Sequence, residues 1–292
     1  MSFAGTYTAL VTPFRDGAFD ERAFAGLIEA QIAGGVEGIV PVGTTGESPT
    51  LTHEEHSKVI RFAVETAKGR CKVIAGAGSN STSEALSLSL QAEKLGADAA
   101  LLVAPYYNKP SQEGLYRHYR AIAEAVSIPI VLYSIPGRCG IEIGVETVAR
   151  LANDLPNIVG IKESGGSVER VSQLRHALPE RFEILSGDDS LTLPFLSAGA
   201  VGVISVASNL VPRGVSDFVR AWLAGRVDDA QAAHRRFYRL FRDLFIEPNP
   251  VPIKYALSLT GVMSPEVRLP LCEMTDGSKD KLRSTLSALN LV

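Results

Sequence analysis

Short apolar runs recur along the chain, and most are followed by a longer stretch whose apolar residues have helical spacing. Most of the short runs are apolar at consecutive positions, which is typical of strands buried on both faces of a parallel sheet. We predict eight such strands: Thr6–Val11, Gly38–Val42, Lys72–Ala77, Ala99–Ala104, Ile130–Tyr133, Ile158–Lys162, Glu183–Leu185 and Gly202–Val206.

Helices are predicted between the strands, where apolar residues recur so as to lie on one helical face. Thr52 is the expected N-cap of one of them, with Glu55 as its capping-box partner. The others are Asp20–Ala33, Ser83–Leu95, Ser111–Ala125, Val145–Leu151 and Val168–Leu178. Glycines stand where several of these helices are expected to end: Gly34, Gly35, Gly69 and Gly96.

Eight repeated βα units predict a (β/α)8 TIM barrel, an α/β fold, over residues 1–224. The alternative is an open doubly wound sheet, which is less favoured because residues 12–17 lack the GxGxxG loop of its dinucleotide-binding form. Residues 225–292 exceed what the last barrel helix requires and predict a C-terminal helical extension packed on the barrel. The helices expected after the eighth strand are Pro212–Ala224, Asp228–Phe245, Pro252–Leu259 and Lys279–Leu289.

Charge, composition and the lack of certain motifs argue against several classes of partner and of chemistry. The formal net charge of −3 gives no electrostatic support for binding to nucleic acid or to an anionic membrane. No apolar run is long enough for a membrane span, and the N-terminus lacks the pattern of a signal peptide. The odd number of cysteines, three, fits a reducing compartment better than a disulfide scaffold, so we expect a cytoplasmic protein. His53 and His56 lie three residues apart on one predicted helix, but the sequence shows no third metal ligand to accompany them. The nucleophile elbow of a serine hydrolase is also missing from the sequence.

Lys162 lies where chemistry is expected in a TIM barrel, at the carboxyl end of a strand. It follows the apolar run Ile158–Ile161. Burial of an ammonium favours the neutral amine, which attacks carbonyl carbons and forms a Schiff base. From position alone, an ion pair with Glu163 or with another acid at the barrel mouth is an equal alternative.

Polar residues also follow the neighbouring strands. Tyr133 ends the strand before Lys162 and is placed to move protons, although a core tyrosine with a bonded hydroxyl is the commoner case. The Gly43-Thr44-Thr45-Gly46 turn offers backbone amides and two hydroxyls, which suit a carboxylate. Arg138 is expected on a loop, where a guanidinium either binds a carboxylate through two parallel hydrogen bonds or is simply solvated.

As a set, these residues resemble the dihydrodipicolinate synthase family, which belongs to the pyruvate-dependent aldolase superfamily that includes N-acetylneuraminate lyase. The resemblance runs along the whole chain. The strings that carry it are Gly43-Thr44-Thr45-Gly46-Glu47, Ala104-Pro105-Tyr106-Tyr107-Asn108-Lys109-Pro110, Tyr133-Ser134-Ile135-Pro136-Gly137-Arg138, Gly160-Ile161-Lys162-Glu163, Leu185-Ser186-Gly187-Asp188-Asp189 and Glu247-Pro248-Asn249-Pro250.

The resemblance implies a condensation of pyruvate with L-aspartate 4-semialdehyde, in the diaminopimelate route to lysine. It implies no metal and no organic cofactor. Lys162 matches the Schiff-base lysine of the family, and the residues that match its proton relay are Tyr133, Thr44 and Tyr107. The resemblance also implies that Tyr107 is supplied by a neighbouring subunit of a homotetramer. The implied substrate contacts are Thr45, Gly187 and Ile204 for pyruvate, and Arg138 for the carboxylate of the semialdehyde.

A second ligand site is implied by the same resemblance. The residues that match the lysine-feedback site of inhibited family members are Ser48, His53, His56, Asn80, Glu84 and Tyr106. Glu84 is the expected partner of the ligand's ammonium. The alternative is that both histidines are merely polar residues on an exposed helix.

Two other functions stay open. Ser134 and Cys139 replace the usual asparagine and the frequent threonine of the family, so an aldolase or dehydratase acting on a sugar acid is an alternative. Arg138 favours a carboxylated aldehyde over a sugar. A catalytically inert barrel that serves in binding or assembly is the third possibility, and the intact set of lysine, tyrosine and threonine argues against it.

Overall fold

The computed structural model describes residues 2–292. In chain order its strands are β1 (Gly5–Ala9), β2 (Phe14–Arg15), β3 (Ala18–Phe19), β4 (Gly38–Val40), β5 (Lys72–Gly76), β6 (Ala99–Val103), β7 (Ile130–Ser134), β8 (Ile158–Glu163), β9 (Glu183–Ser186) and β10 (Gly202–Ser205). Eight of them close a parallel barrel, in which β1 pairs with both β4 and β10. All eight predicted strands are confirmed, each within two residues at either end, and the closed barrel excludes the open sheet.

The helices alternate with the barrel strands and continue beyond them. They are α1 (Glu21–Ala33), α2 (His53–Ala67), α3 (Thr82–Lys94), α4 (Gln112–Ala123), α5 (Pro136–Cys139), α6 (Val145–Asp154), α7 (Val168–Ala177), α8 (Thr192–Ser197), α9 (Pro212–Leu223), α10 (Val227–Asp243), α11 (Val251–Leu259) and α12 (Asp276–Ala288). The predicted capping box is confirmed: Thr52 Oγ1 accepts the Glu55 amide, and the Glu55 carboxylate accepts the Thr52 amide.

Three small elements escaped the sequence prediction. The β2–β3 hairpin turns at Asp16-Gly17, where both residues have positive φ, as a two-residue turn between antiparallel strands requires. The helices α5 and α8 have four and six residues, which is too short to show helical periodicity.

The C-terminal helices share the core of the barrel. Leu240 of α10, Ile253 of α11 and Leu286 of α12 belong to the same cluster of buried apolar side chains as the barrel residue Ile204. The predicted boundary at residue 225 falls between α9 and α10. Within residues 2–292, no helix combines the length and the apolar character needed to cross a membrane.

Candidate active site

The strand register brings Lys162 and Tyr133 together at the carboxyl end of the barrel. Tyr133 in β7 pairs with Lys162 in β8, and both side chains are buried, at 5% and 6% exposure. The Lys162 Nζ lies 4.2 Å from the centroid of the Tyr133 ring. The two residues predicted to carry the chemistry are therefore neighbours across the sheet.

The interpretation of Lys162 as an ion-pair partner of Glu163 is wrong. Alternation along β8 turns the two side chains to opposite faces. Glu163 instead pairs with Arg170, whose Nε lies 2.8 Å from Glu163 Oε2. Among the described residues, no carboxylate lies within 4.0 Å of the Lys162 Nζ. Lys162 is thus buried and makes no ion pair with a described residue.

Gly187 follows β9 and leaves room for the lysine side chain. A Cβ at this position would lie 1.8 Å from Ser164 Oγ and 2.9 Å from Lys162 Cε. Both distances are shorter than van der Waals contact, so a side chain at this position would force Ser164 and Lys162 to move. Ile204 in β10 is buried and pairs in register with Tyr7 of β1.

The turn that carries Thr44 and Thr45 follows β4. The amides of Gly46 and Glu47 bond to carbonyls within the turn, while those of Thr44 and Thr45 have no partner among residues 2–292. Val42 precedes the turn with φ of 48°, a strained conformation for a β-branched residue. The turn therefore presents two free amides and two hydroxyls, as the sequence predicted.

A buried ion pair anchors this turn to the C-terminal extension. Glu47 and Lys254 have fully buried side chains and contact each other, and the Lys254 ammonium also donates to the carbonyl of Glu266 at 2.9 Å. The second Glu47 oxygen accepts the backbone amide of Arg268 at 3.0 Å. Burial lowers the pKa of Lys254 to about 8. No sequence pattern indicates this ion pair, because Glu47 and Lys254 lie more than two hundred residues apart.

Asn249, for which the sequence predicted no role, contacts two of the predicted site residues. Its side-chain Nδ2 donates to Thr45 Oγ1 at 2.9 Å, and its backbone carbonyl accepts a guanidinium N–H of Arg138 at 3.3 Å. The string Glu247-Pro248-Asn249-Pro250 marked the segment through the family resemblance alone. A residue of the C-terminal extension thus contacts Thr45 and Arg138, two residues predicted to bind the substrates.

Arg138 lies on the short helix α5 rather than on the expected loop. Ile135, which caps this helix, is followed by Pro136 at the first position, where proline is favoured. The loop prediction is wrong because a single helical turn leaves no periodic signal. The Arg138 side chain is exposed at the barrel mouth and lines a cavity together with Tyr133.

Tyr107 points away from its own barrel. Its side chain is 90% exposed, and its φ of 73° is a strained left-handed conformation for a tyrosine. The neighbouring Tyr106 is less exposed, at 38%, and lines the cavity. Within this chain, therefore, the structure does not bring Tyr107 to Lys162.

Most residues of the predicted lysine site border a cavity that some of the residues predicted for catalysis and substrate binding also line. This cavity of about 430 Å³ is lined by Thr44, Tyr133 and Arg138, and also by Ser48, His53, His56, Glu84 and Tyr106. Asn80 bonds through Nδ2 to the carbonyl of Tyr106 at 3.2 Å. The predicted lysine site thus adjoins Thr44, Tyr133 and Arg138, whereas Lys162 does not line this cavity.

His56 and Glu84 are held in place at that cavity by hydrogen bonds. His56 is buried and its Nε2 donates to the carbonyl of Gly76 at 2.9 Å, while its Nδ1 has no partner within residues 2–292. Burial lowers the pKa of His56, which keeps the ring neutral and Nδ1 an acceptor. Glu84 bonds to Ser79 and to His53, and these bonds lower its pKa. The interpretation of both histidines as exposed helix residues is wrong for His56.

No group of three or more His, Cys, Asp or Glu side chains is placed to hold a metal ion in the described part of the chain. A closed parallel barrel with a buried, unpaired lysine and a tyrosine at the strand ends is typical of barrel aldolases that act through an imine. The geometry thus defines a class of lyase.

Comparison with known proteins identifies the family within that class. The sequence model of the Dihydrodipicolinate synthetase family matches residues 2–289. The chain is 50% identical to the 4-hydroxy-tetrahydrodipicolinate synthase of Nitratidesulfovibrio vulgaris strain DP4, over the full length of both proteins. The chain therefore belongs to the dihydrodipicolinate synthetase family.

Solved structures agree with this membership. The 4-hydroxy-tetrahydrodipicolinate synthase of Methylacidiphilum fumariolicum SolV is 57% identical, with a TM-score of 0.98 over 99% of this chain and 96% of that one. The enzyme of Cyanidioschyzon merolae with lysine bound is 42% identical, with a TM-score of 0.96 over 99% of each chain. The predicted TIM barrel and the predicted activity, a lyase that condenses pyruvate in lysine biosynthesis, are confirmed.

Proposed function

We propose that Lys162 forms an imine with pyruvate and that the resulting enamine attacks L-aspartate 4-semialdehyde to give 4-hydroxy-tetrahydrodipicolinate. The single observation that carries this proposal is a buried, unpaired Lys162 beside Tyr133 at the barrel mouth. Attack of the neutral amine on the keto carbon forms the C–N bond, and water leaves.

The later steps need proton transfer at several atoms. The iminium loses a methyl proton to become an enamine, whose carbon then attacks the aldehyde. The amine of the semialdehyde displaces Lys162, which closes a six-membered ring and restores the lysine. Tyr133, Thr44 and Tyr107 supply and accept the protons, since hydroxyls perform both tasks in general acid–base catalysis.

Two groups of contacts hold the two substrate carboxylates. The Thr45 hydroxyl and the free amides of Thr44 and Thr45 are donors for the carboxylate of pyruvate. Arg138 binds the carboxylate of the semialdehyde through its guanidinium. Gly187 and Ile204 line the space around the pyruvate methyl group. No cofactor takes part, because the imine itself withdraws the electrons.

The experiment that tests this function is condensation of pyruvate with L-aspartate 4-semialdehyde, coupled to dihydrodipicolinate reductase and followed by loss of NADPH absorbance. We expect robust turnover. The main alternative is a sugar-acid aldolase or dehydratase. Turnover of a polyhydroxylated aldehyde, with none of the semialdehyde, would favour that alternative and overturn the assignment of Arg138.

We also propose that Tyr107 completes the site of a neighbouring subunit, in a homotetramer built from two dimers. Support comes from its 90% exposure and its strained backbone, which a residue without a partner has no reason to adopt. The three free cysteines, of which Cys71 and Cys139 are buried, fit the reducing cytoplasm where we place the protein.

A subunit-mixing experiment tests the assignment of Tyr107. Lys162→Ala and Tyr107→Phe are each expected to have low activity alone. In a hybrid dimer, the intact Lys162 of one subunit meets the intact Tyr107 of the other, so activity returns toward about half of the unmodified value. Coexpression of differently tagged subunits, tandem purification and the coupled assay give the measurement. A hybrid no more active than its parents would show that Tyr107 acts in its own subunit.

We further propose that L-lysine binds in the cavity beside the active site and inhibits the enzyme. Glu84 accepts the ligand's ammonium, and His56 Nδ1 accepts a further N–H. Ser48, His53, Asn80 and Tyr106 bind its other polar groups. Support comes from the partnerless Nδ1 of His56 and from the lysine bound to the Cyanidioschyzon merolae relative.

Inhibition by L-lysine is expected to depend on the charge of Glu84. The Glu84→Gln variant loses a charge-assisted hydrogen bond, so the lysine concentration for half inhibition should rise about tenfold. Glu65→Gln, which neutralises an exposed carboxylate on α2 outside the cavity, is the matched control and should behave as the unmodified protein. Unchanged activity of the unmodified protein at millimolar L-lysine would remove this proposal.

A further inference from the structure

The side chain of Asn249 reaches the active site from the C-terminal extension. Asn249 is 6% exposed, and it precedes α11, far in sequence from the turn it contacts. Its Nδ2 donates to Thr45 Oγ1 at 2.9 Å, while its Oδ1 is buried without a partner among residues 2–292. The bond to Thr45 is therefore the only side-chain hydrogen bond of Asn249 in the described part of the chain.

This bond determines where the proton of Thr45 goes. An amide nitrogen is a donor only, so the Thr45 oxygen must act as the acceptor. A hydroxyl has a single proton, and with Asn249 as donor that proton cannot point at Asn249. That proton is therefore available for another acceptor beside the free amides of Thr44 and Thr45.

We propose that Asn249 is a positioning residue that orients the Thr45 hydroxyl as a donor to the carboxylate of pyruvate. This inference rests on the proposed function, in which Thr45 binds that carboxylate. It assigns to the extension a part in the chemistry of the first substrate.

The turn itself is held by other contacts. Glu47 is fixed by Lys254 and by the amide of Arg268, and Arg268 in turn pairs with Glu55 at 2.6 Å. A change in the Asn249 side chain leaves these contacts in place. Its effect should therefore reach the substrate through Thr45 rather than through a displaced turn.

The backbone of Asn249 serves a different residue. Its carbonyl accepts the N–H of Arg138 at 3.3 Å, and every side chain at this position retains that carbonyl. Variants of the Asn249 side chain should consequently impair the use of pyruvate and spare the use of the semialdehyde. This split distinguishes orientation of Thr45 from a general loss of structure.

The two informative variants are Asn249→Asp and Asn249→Ala. An ionised aspartate has the shape of asparagine but only accepts hydrogen bonds, so it takes the Thr45 proton away from the substrate. Alanine removes the donor and leaves the hydroxyl free to turn either way. We expect KM for pyruvate to rise about threefold in Asn249→Ala and about tenfold or more in Asn249→Asp, with KM for the semialdehyde within about twofold of normal.

The order of the two variants and the split between the two substrates carry the test. If Asn249 were merely structural, both variants would impair the use of both substrates alike, because alanine leaves a cavity and loses the hydrogen bond to Thr45, and aspartate buries a charge. Asn249→Asp equal to the unmodified protein, or less impaired than Asn249→Ala, would overturn the proposal. Equal loss for both substrates would overturn it as well. Asn290→Asp, at an exposed position near the C-terminus, is the control for the added charge.

A double-mutant comparison covers the case in which Asn249→Asp does not fold. In a Thr45→Val background there is no hydroxyl to orient, so Asn249→Ala should add less than about twofold to KM for pyruvate. A full effect of Asn249→Ala in that background would overturn the proposal. Borohydride trapping of pyruvate on the unmodified protein distinguishes failure of the proposed function from failure of this inference. If no pyruvate is trapped, the proposed function is refuted. If pyruvate is trapped but the Asn249 variants have an unchanged KM for pyruvate, only this inference is refuted.

Discussion

Replacing Lys162 with alanine lowers condensation by at least about 10⁴-fold, since removal of a covalent nucleophile eliminates the reaction path rather than slowing it. The proposed mechanism forms every intermediate before ring closure on this amine. Lys162 makes no ion pair with any described residue, so its removal leaves no unpaired carboxylate behind. The coupled NADPH assay measures the loss, and circular dichroism should show an unchanged fold.

Lys162→Arg provides the matched control for charge. Arginine keeps a cation at the strand end but does not form an imine, since it is not deprotonated in proteins. We expect it to be as inactive as Lys162→Ala. Substantial activity of either variant would mean that the positive charge, or another group, performs the reaction instead of a lysine imine.

Replacing Gly187 with alanine should be the second most damaging change, with a loss of condensation of about a hundredfold or more. The new methyl group would overlap Ser164 Oγ at 1.8 Å and Lys162 Cε at 2.9 Å, which forces the lysine side chain out of its position. A displacement of about 1 Å in a reacting group is enough for a loss of this size. Turnover and the rate of imine trapping should fall together.

Two variants separate this steric effect from a general effect of alanine. Gly137→Ala, on α5 at the same mouth of the barrel, meets no atom within 4 Å and should retain normal turnover. Adding Ser164→Ala to Gly187→Ala removes the nearest atom of the overlap and should restore part of the activity. A Gly187→Ala variant with unimpaired trapping of pyruvate would contradict the placement of Lys162 beside Gly187.

The barrel could be predicted from the sequence because its strands are buried on both faces. Runs such as Ile158–Ile161 read as apolar at every position, and the residue that ends such a run falls at the barrel mouth by the geometry of the fold. Lys162 and Tyr133 were found in this way. Their pairing across adjacent strands followed from the order of the strands alone.

The contacts that hold the site together could not be predicted. Whether Glu163 pairs with Lys162 or with Arg170 depends on which face of β8 each side chain occupies and on the approach of α7. The bond from Asn249 to Thr45 joins residues about two hundred positions apart, and a repeating pattern of residue types does not predict a contact over that distance. Long-range polar contacts are specified by the folded chain and leave no local pattern.

The position of the pyruvate adduct tests the assignment of Lys162 most directly. The protein is incubated with pyruvate, reduced with borohydride, digested and analysed by mass spectrometry. Lys254 is the competing amine, because burial lowers its pKa to about 8, but its ammonium is engaged by Glu47. We predict an adduct on Lys162 alone. An adduct on Lys254 or another lysine, or no adduct on folded protein, would contradict that assignment.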